Sequence, residues 1–174
     1  MASGSFGRLA GRVRQHQDVV RFCLRFAIYS VVFFGLLFAV QEPVVEPFTR
    51  GIAWLTYRVM RAFGTPVSID GTTVGVPGFT VSIRNNCNAI YEIGLYAAAT
   101  LAYPASARQR TSGILFAGSV LYVVNLVRVV SLLYLGYLFP EVFEAAHVYV
   151  WQVLFLVVVA GLWLGWVSRI RPSA

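Results

Sequence analysis

Charge is scarce in this chain of 174 residues, of which 12% are Asp, Glu, Lys or Arg and 58% are hydrophobic. A water-soluble domain, which must cover its surface with polar groups, does not have this composition, so we place the chain in a bilayer. Lysine is absent, and all fourteen basic residues are arginines. They adjoin apolar segments and do not form one polar face. The net charge of +7 therefore indicates membrane topology and argues against a nucleic-acid partner.

Cysteine and histidine are also few, with two of each. Cys23 lies in a hydrophobic run and Cys87 in a polar loop, so we expect no disulfide between them and predict that Cys87 is a free thiol. One Cys and one His on the same side of the membrane are too few ligands for a tetrahedral zinc site. We therefore expect no metal and no other cofactor, and we assign no role to Cys23 or His16.

Hydropathy along the chain predicts an all-α membrane protein with about four transmembrane helices. An amphipathic helix over residues 51–63, anchored by Trp54, is expected at the outer interface, and a small extracytoplasmic β-hairpin follows within residues 64–84. The apolar segment 89–103 is short and needs a tilt or a locally thinned bilayer to span. We divide the chain into a basic cytoplasmic tail (1–21), transmembrane helix 1 (22–40), an extracytoplasmic segment carrying the interfacial helix and hairpin (41–87), and a catalytic core of three transmembrane helices (88–170).

The distribution of arginines predicts the orientation of these helices. Four helices with both termini in the cytoplasm place nine arginines inside, counting Arg25 at the start of helix 1, and leave four in the outer segment 41–87, as the positive-inside rule favours. A cleaved signal peptide is an alternative for the first helix, because residues 39–41 weakly resemble a cleavage site. Its apolar run is longer than most signal-peptide cores, which favours a retained helix.

Cys87 and His147 are the two candidate reactive groups. Cys87 lies between Asn86 and Asn88, directly before a helix that begins near Ala89, and the partial positive charge of a helix N-terminus is expected to lower its thiol pKa. His147 is expected immediately before the last helix. The predicted topology brings both to the outer side of the membrane. Each also has a structural interpretation, as a small residue in a capped loop and as an interfacial histidine.

Arg128 is the third candidate, because an arginine within a spanning segment costs at least about 2.5 to 3.5 kcal/mol and usually faces the bundle interior. Tyr122, Asn125 and Arg128 recur every three residues and share one helix face. The alternative is a structural arginine that Glu92 or Asn125 satisfies. Asn86 and Glu92 are further candidates to assist the thiol, although turn and cap roles explain them equally well.

These three residue types together suit acyl transfer through a thioester. A thiolate of Cys87 would attack a peptide carbonyl, and Arg128 would stabilise the oxyanion that develops. His147 would donate a proton to the leaving amine and later activate the acceptor.

Three motifs resemble those of the exosortase and archaeosortase family: NCNA at Asn86 to Ala89, NLVRVVS at Asn125 to Ser131, and the His147 that opens the last helix. The likeness covers roughly residues 50 to 170. Further segments, at residues 103–106, 134–136 and 146–152, resemble the short H-type exosortases of Gram-negative bacteria. One departure is Ala89, where many relatives have glycine.

The resemblance implies an enzyme of the bacterial inner membrane, with its active site on the periplasmic side. It would cleave exported proteins that end in a short motif, a transmembrane helix and a basic tail, and it would pass the new C-terminus to an acceptor. Its partners would be these proteins, membrane lipids and an acceptor of unassigned chemistry, for which lipid-linked and glycan-linked molecules are candidates. A hydrolytic membrane cysteine protease would use the same residues, and a non-catalytic scaffold is the alternative from another class. A transporter is disfavoured, because no internal repeat is evident.

Overall fold

Helices make up most of the chain, and one small sheet interrupts them. The computed structural model describes residues 3–84 and 87–170. The predicted all-α membrane fold class is confirmed, with the addition of a third strand to the expected hairpin. In chain order the elements are α1 (Ser3–Ala39), a first π-helical segment (Gln41–Val45), α2 (Glu46–Ala62), β1 (Ser68–Asp70), β2 (Thr73–Val76), β3 (Phe79–Ser82), α3 (Ile90–Ala102), α4 (Ala107–Leu138), α5 (Pro140–Ala145), a second π-helical segment (Ala146–Trp151) and α6 (Gln152–Arg169).

Three helical stretches of the described residues are long and apolar enough to cross a membrane, namely His16–Ala39, Ala107–Leu138 and Pro140–Arg169. The last of them joins α5, the second π-helical segment and α6. Helix α1 is continuous across the expected boundary between residues 21 and 22. Helix α3 has 13 residues. At about 1.5 Å per residue it is shorter than a hydrocarbon core of about 30 Å. The segment 89–103, which was predicted to span, is therefore a short helix inside the bundle.

Helix α3 is enclosed by protein, since it packs against α1, α4 and α6. Its residues Tyr96, Ala98 and Ala102 are each at most 2% exposed. Gly94 allows α1 to come close, because a Cβ at this position would overlap the ring of Phe33. The buried face of α3, which includes the polar Glu92 and Thr100, therefore lies against other parts of the protein.

Helix α2 is amphipathic, but its buried face differs from the predicted one. The periodicity of residues 51–63 predicts one apolar stripe that contains Ile52, Leu55, Val59 and Phe63. Ile52 is buried as predicted, whereas Phe63 is 76% exposed and Met60, outside that stripe, is fully buried. Trp54, the expected anchor, is exposed. The buried face packs against α4 and the sheet. Contact with these elements, and not hydropathy alone, therefore determines which side of α2 is buried.

The three strands form one antiparallel sheet in the order β1-β2-β3. Gly71 and Gly78 lie in the two turns with φ of +57° and +79°, a region in which glycine carries no Cβ penalty. Val74, Val76 and the following Ile83 share a core with α2 and α4. The sheet thus covers one end of these two helices and leads directly into the loop that carries Cys87.

Candidate active site

The loop before α3 holds Cys87 in a fixed position. The Cys87 N–H donates to the Arg84 carbonyl at 2.8 Å, and the residue is 8% exposed. The fully buried Asn88 side chain donates to Thr49 Oγ1 of α2 at 2.8 Å and accepts from the Ile90 N–H at 3.1 Å. Asn88 therefore ties the loop to α2 and accepts the first backbone N–H of α3, since its amide serves both partners.

Ala89 makes the turn between this loop and α3 in the left-handed region, with φ of +63°. Among the described residues it is the one non-glycine residue with positive φ. This conformation costs an L-residue about 1 to 2 kcal/mol. Many members of the family that this chain resembles have glycine at this position. The left-handed backbone at Ala89 favours glycine, which agrees with that preference.

His147 lies beside the thiol, with its Nε2 atom 3.2 Å from Cys87 Sγ. It does not precede the last helix as expected, because it lies within the second π-helical segment of a continuous helical run. Its ring stacks on Phe143 with centroids 5.7 Å apart. Single π turns inside helices are uncommon and frequently occur at functional sites. Here the wider turn carries the imidazole that contacts the thiol.

Arg128 is buried in the bundle, as the cost of a lipid-facing arginine requires, and is 1% exposed. Its guanidinium carbon lies 5.7 Å from the ring centroid of Phe155 on α6. Its Nε and Nη1 atoms have no hydrogen-bond partner among the described residues. No ion pair of the described residues includes Arg128, so neither Glu92 nor any other described acid neutralises it by direct contact. The guanidinium therefore retains donors for another oxygen.

The supporting candidates fall into two groups. Asn125 and Glu92 lie inside the bundle, where Asn125 is fully buried and Glu92 is 6% exposed. Among the described residues, neither polar atom of the Asn125 amide has a hydrogen-bond partner, and the same is true of Glu92 Oε2. Tyr122 instead packs its ring edge-on against Phe48, with centroids 5.7 Å apart, in the core between α2 and α4. Asn86 lies outside the described residues. The predicted polar stripe of α4 is therefore buried at Asn125 and directed to an apolar cluster at Tyr122.

One cavity of about 500 Å³ brings Cys87, Arg128 and His147 together. Residues 80–84 form one wall, and side chains of α4, α5 and the second π-helical segment form the others. Two larger cavities, of about 630 and 680 Å³, lie near the end of α1 and contain none of the three residues. Among the described residues, no three His, Cys, Asp or Glu side chains are grouped to hold a metal ion. The smaller cavity is the one whose groups suit acyl transfer.

Burial raises the pKa of the Cys87 thiol, in contrast to the lowered value expected from the helix N-terminus. The positive charge of Arg128 and a backbone hydrogen bond at Arg84 act in the lowering direction, and the Glu92 carboxylate adds to the rise. Desolvation penalises the thiolate more than these groups stabilise it. The resting group is therefore the neutral thiol, which needs an adjacent base to react.

Comparison with protein families decides the class of this molecule. The family described as transmembrane exosortase matches residues 17–164. The chain belongs to this family. Comparison with curated proteins and with solved structures found no match. Membership of the exosortase family supports, at the level of the family, a membrane protein that sorts other proteins by transpeptidation.

The exosortase site also contains residues that sequence reasoning did not single out. Phe155 lies against Arg128, Phe143 stacks on His147, and Glu144 lines the cavity. In the sequence, Phe143 and Phe155 are two of thirteen phenylalanines and have no distinguishing pattern. Glu144 had a weak signal, since a carboxylate three residues before His147 shares its helix face. No sequence signal marked the cavity wall of residues 80–84, because pairing with the other strands decides which strand lies at the edge of a sheet.

Proposed function

We propose that this exosortase is a membrane-embedded cysteine transpeptidase. It cleaves C-terminal sorting signals of exported proteins through a thioester and transfers the new C-terminus to an acceptor. The observation that carries the proposal is the 3.2 Å separation of Cys87 Sγ and His147 Nε2 in a cavity that Arg128 also lines. A buried neutral thiol, a contacting imidazole and a cation with unpaired donors are the three groups that acyl transfer needs.

The first half of the reaction forms the thioester. The imidazole of His147 takes the proton of the Cys87 thiol, and the sulfur attacks the carbonyl carbon of the scissile peptide. The guanidinium of Arg128 donates to the oxyanion, where its charge is most effective away from water. The protonated imidazole then gives its proton to the leaving amine as the C–N bond breaks. The carboxy-terminal fragment leaves, and the rest of the substrate remains on the sulfur.

The second half releases the product. An acceptor nucleophile gives its proton to His147 and attacks the thioester carbonyl, and the C–S bond breaks to regenerate the thiol. Water as the acceptor gives hydrolysis, whereas an amine or hydroxyl gives a new covalent link. Restricted access of bulk water to a half-enclosed cavity favours a competing acceptor that binds there.

The substrate class and the orientation in the membrane form part of the proposal. Substrates are exported proteins with a short motif, a transmembrane helix and a basic tail. The nine arginines assigned to the cytoplasm support a site on the periplasmic side of the inner membrane, with both termini cytoplasmic. Cys87 then meets substrates after export, when their signals are held by their own helices at the same depth.

The decisive experiment co-expresses this exosortase with a protein of the same genome that ends in such a signal. Wild type, Cys87→Ala and the matched control Cys23→Ala are compared by intact mass of the substrate's C-terminus. Trimming is expected with wild type and Cys23→Ala and not with Cys87→Ala. A mass above the trimmed chain identifies the acceptor, and the trimmed mass alone identifies hydrolysis. Equal processing by all three variants would show that Cys87 is structural and favour the scaffold function.

A further inference from the structure

One wall of the active-site cavity is formed by the outer strand of the sheet and the residues that follow it. Residues 80–84 line this cavity in succession, and Cys87 follows three residues later. Strand β3 is the outer strand in the order β1-β2-β3, so it pairs with β2 on one side only. The other side of an outer strand presents backbone N–H and C=O groups that the sheet does not satisfy. Here these groups lie next to the candidate nucleophile.

The register of the sheet identifies these groups. The Ile83 N–H donates to the carbonyl of Thr72, the residue directly opposite, at 3.0 Å, so this pair is hydrogen-bonded. Along an antiparallel ladder, opposite pairs alternate between hydrogen-bonded and non-hydrogen-bonded. The pair Val74–Val81 is therefore bonded, whereas Thr80 and Ser82, opposite Gly75 and Thr73, form non-bonded pairs.

It follows that the N–H and C=O groups of Thr80 and Ser82 point away from β2. Both residues are exposed. No hydrogen bond within the described part of the chain uses these backbone groups. Two donors and two acceptors, spaced for strand pairing, are thus free along one wall of the cavity.

We propose that the free edge of β3 binds the substrate's sorting motif as an added antiparallel or parallel strand, which carries the scissile carbonyl to Cys87. The proposal rests on the function proposed above and deepens it by assigning the residues that hold the peptide. Main-chain pairing of this kind gives affinity, while alternate side chains of the added strand enter pockets and give specificity.

The opposite walls of the cavity suit such a strand. Val129 and Leu132 of α4 and Phe143 of α5 offer apolar contacts, and Glu144 offers a negative charge. An added strand would lie about 4.8 Å from β3, and its alternate side chains would point to opposite faces. One set would meet the apolar side chains and the other would face outward. Recognition is therefore expected to depend on every second residue of the motif.

Proline on β3 tests the role of the edge N–H, because proline removes this donor and is tolerated where no ladder bond is lost. Ser82→Pro and Thr80→Pro each remove one outward N–H. Ile69→Pro is the matched control, since Ile69 opposite Val74 is a non-bonded pair at the far edge of the same sheet. With the co-expressed sorting-signal protein as substrate, we expect a fall of about tenfold or more in processing rate for the two β3 variants and none for the control. Labelling of Cys87 by iodoacetamide reports whether the site remains intact.

Disulfide cross-linking measures the pairing without turnover. In a Cys87→Ala, Cys23→Ala background, Ser82→Cys or Thr80→Cys is combined with single cysteines placed along the motif of the same substrate protein. Directly opposite residues in paired strands have Cβ atoms about 4.5 to 5.5 Å apart. Each engineered cysteine should therefore select one motif position, and the two positions should differ by two residues. The direction of the difference reports whether the added strand is parallel or antiparallel.

The outcomes separate this inference from the proposed function. If wild type does not trim the substrate, the transpeptidase proposal fails, while the cross-link pattern still decides whether the motif pairs with β3. If wild type trims the substrate but the β3 variants match Ile69→Pro, or the cross-links show no shift of two residues, the edge does not hold the peptide. A β3 variant that loses iodoacetamide labelling has a damaged site, and the cross-link pattern then decides alone.

Discussion

Helix α4 and the run from Pro140 to Arg169 are two long apolar segments with nearly equal mean hydropathy and different environments. In the most apolar window of α4, 33% of the residues are buried, against 6% in the later run. Nine residues of α4 are buried, and they include the polar Asn125 and Arg128. Helix α6 buries Phe155 alone. One helix is thus a central element of the fold, and the other lies at its periphery.

A central helix in a membrane protein can be recognised by its polar residues. Total apolarity is similar in both segments, because lipid and protein interior are about equally apolar. Polar residues at helical spacing distinguish them, since Asn125 and Arg128 would be too costly against lipid. Helix α6 has no such residue along its apolar part, and it reaches the site through the π-helical segment before it.

The largest effect is expected for Arg128→Lys on α4. The ammonium group keeps the charge but not the planar set of donors, so oxyanion stabilisation is lost while burial of a cation is retained. Removal of one oxyanion donor typically lowers kcat about 100-fold or more. We expect the rate of substrate trimming to fall by this factor, while the amount of membrane-inserted protein stays unchanged. Arg58→Lys, on the exposed face of α2, is the matched control, and normal trimming by Arg128→Lys would remove the guanidinium from the mechanism.

Phe155→Ala tests the one buried side chain of α6. The substitution removes the ring beneath Arg128, and a buried Phe→Ala change costs about 3 to 5 kcal/mol, since apolar contacts are lost and a cavity remains. Leu156→Ala, one residue further and 51% exposed, should cost almost nothing. Denaturant unfolding in detergent micelles measures both values. If the two variants were equally stable, α6 would not be held through Phe155, and the contrast between the two helices would disappear.

The pH dependence of Cys87 alkylation tests the balance of charges between α4 and the loop. Since burial raises the thiol pKa, the rate in a Cys23→Ser background should rise about tenfold per pH unit and level off only above the ordinary pKa of a cysteine thiol. Arg128→Gln removes a positive charge that stabilises the thiolate, so its rate near neutral pH should be lower still. Intact-mass analysis after iodoacetamide treatment follows the reaction. A plateau below pH 8 would contradict a buried, neutral resting thiol.

Ala89 should show the smallest effect when changed to glycine. Glycine relieves a left-handed conformation that costs about 1 to 2 kcal/mol, while loss of the buried methyl group costs about 0.8 kcal/mol. We expect Ala89→Gly to be more stable by less than about 1 kcal/mol. Ala89→Val should be destabilised by more than about 2 kcal/mol, because a β-branched residue is strongly disfavoured at this φ. Thermal unfolding of the two variants gives the comparison, and a stable Ala89→Val would disprove the strain.

Much of the site followed from local pattern and topology. Placing Cys87 and His147 on one side needed only the order of apolar segments, and placing Arg128 inward needed only the cost of a charge in lipid. The predicted buried face of α2 was wrong at Phe63, because α2 ends at Ala62 and its contacts with α4 and the sheet bury the face that contains Ile52 and Met60. The pKa direction of Cys87 was also wrong, since the helix N-terminus was visible in the sequence and the extent of burial was not.

The amino-acid sequence alone predicts the membrane class, the approximate positions of the spanning helices and the three residues that meet at one end. These are consequences of hydropathy, charge cost and chain order, all of which act locally. Tertiary structure alone decided that His147 occupies a π turn in contact with the thiol, that Phe155 lies beneath Arg128, and that the free edge of β3 borders the cavity. Each of these depends on how distant segments pack and which backbone groups they leave unpaired, and no local pattern of residues specifies it.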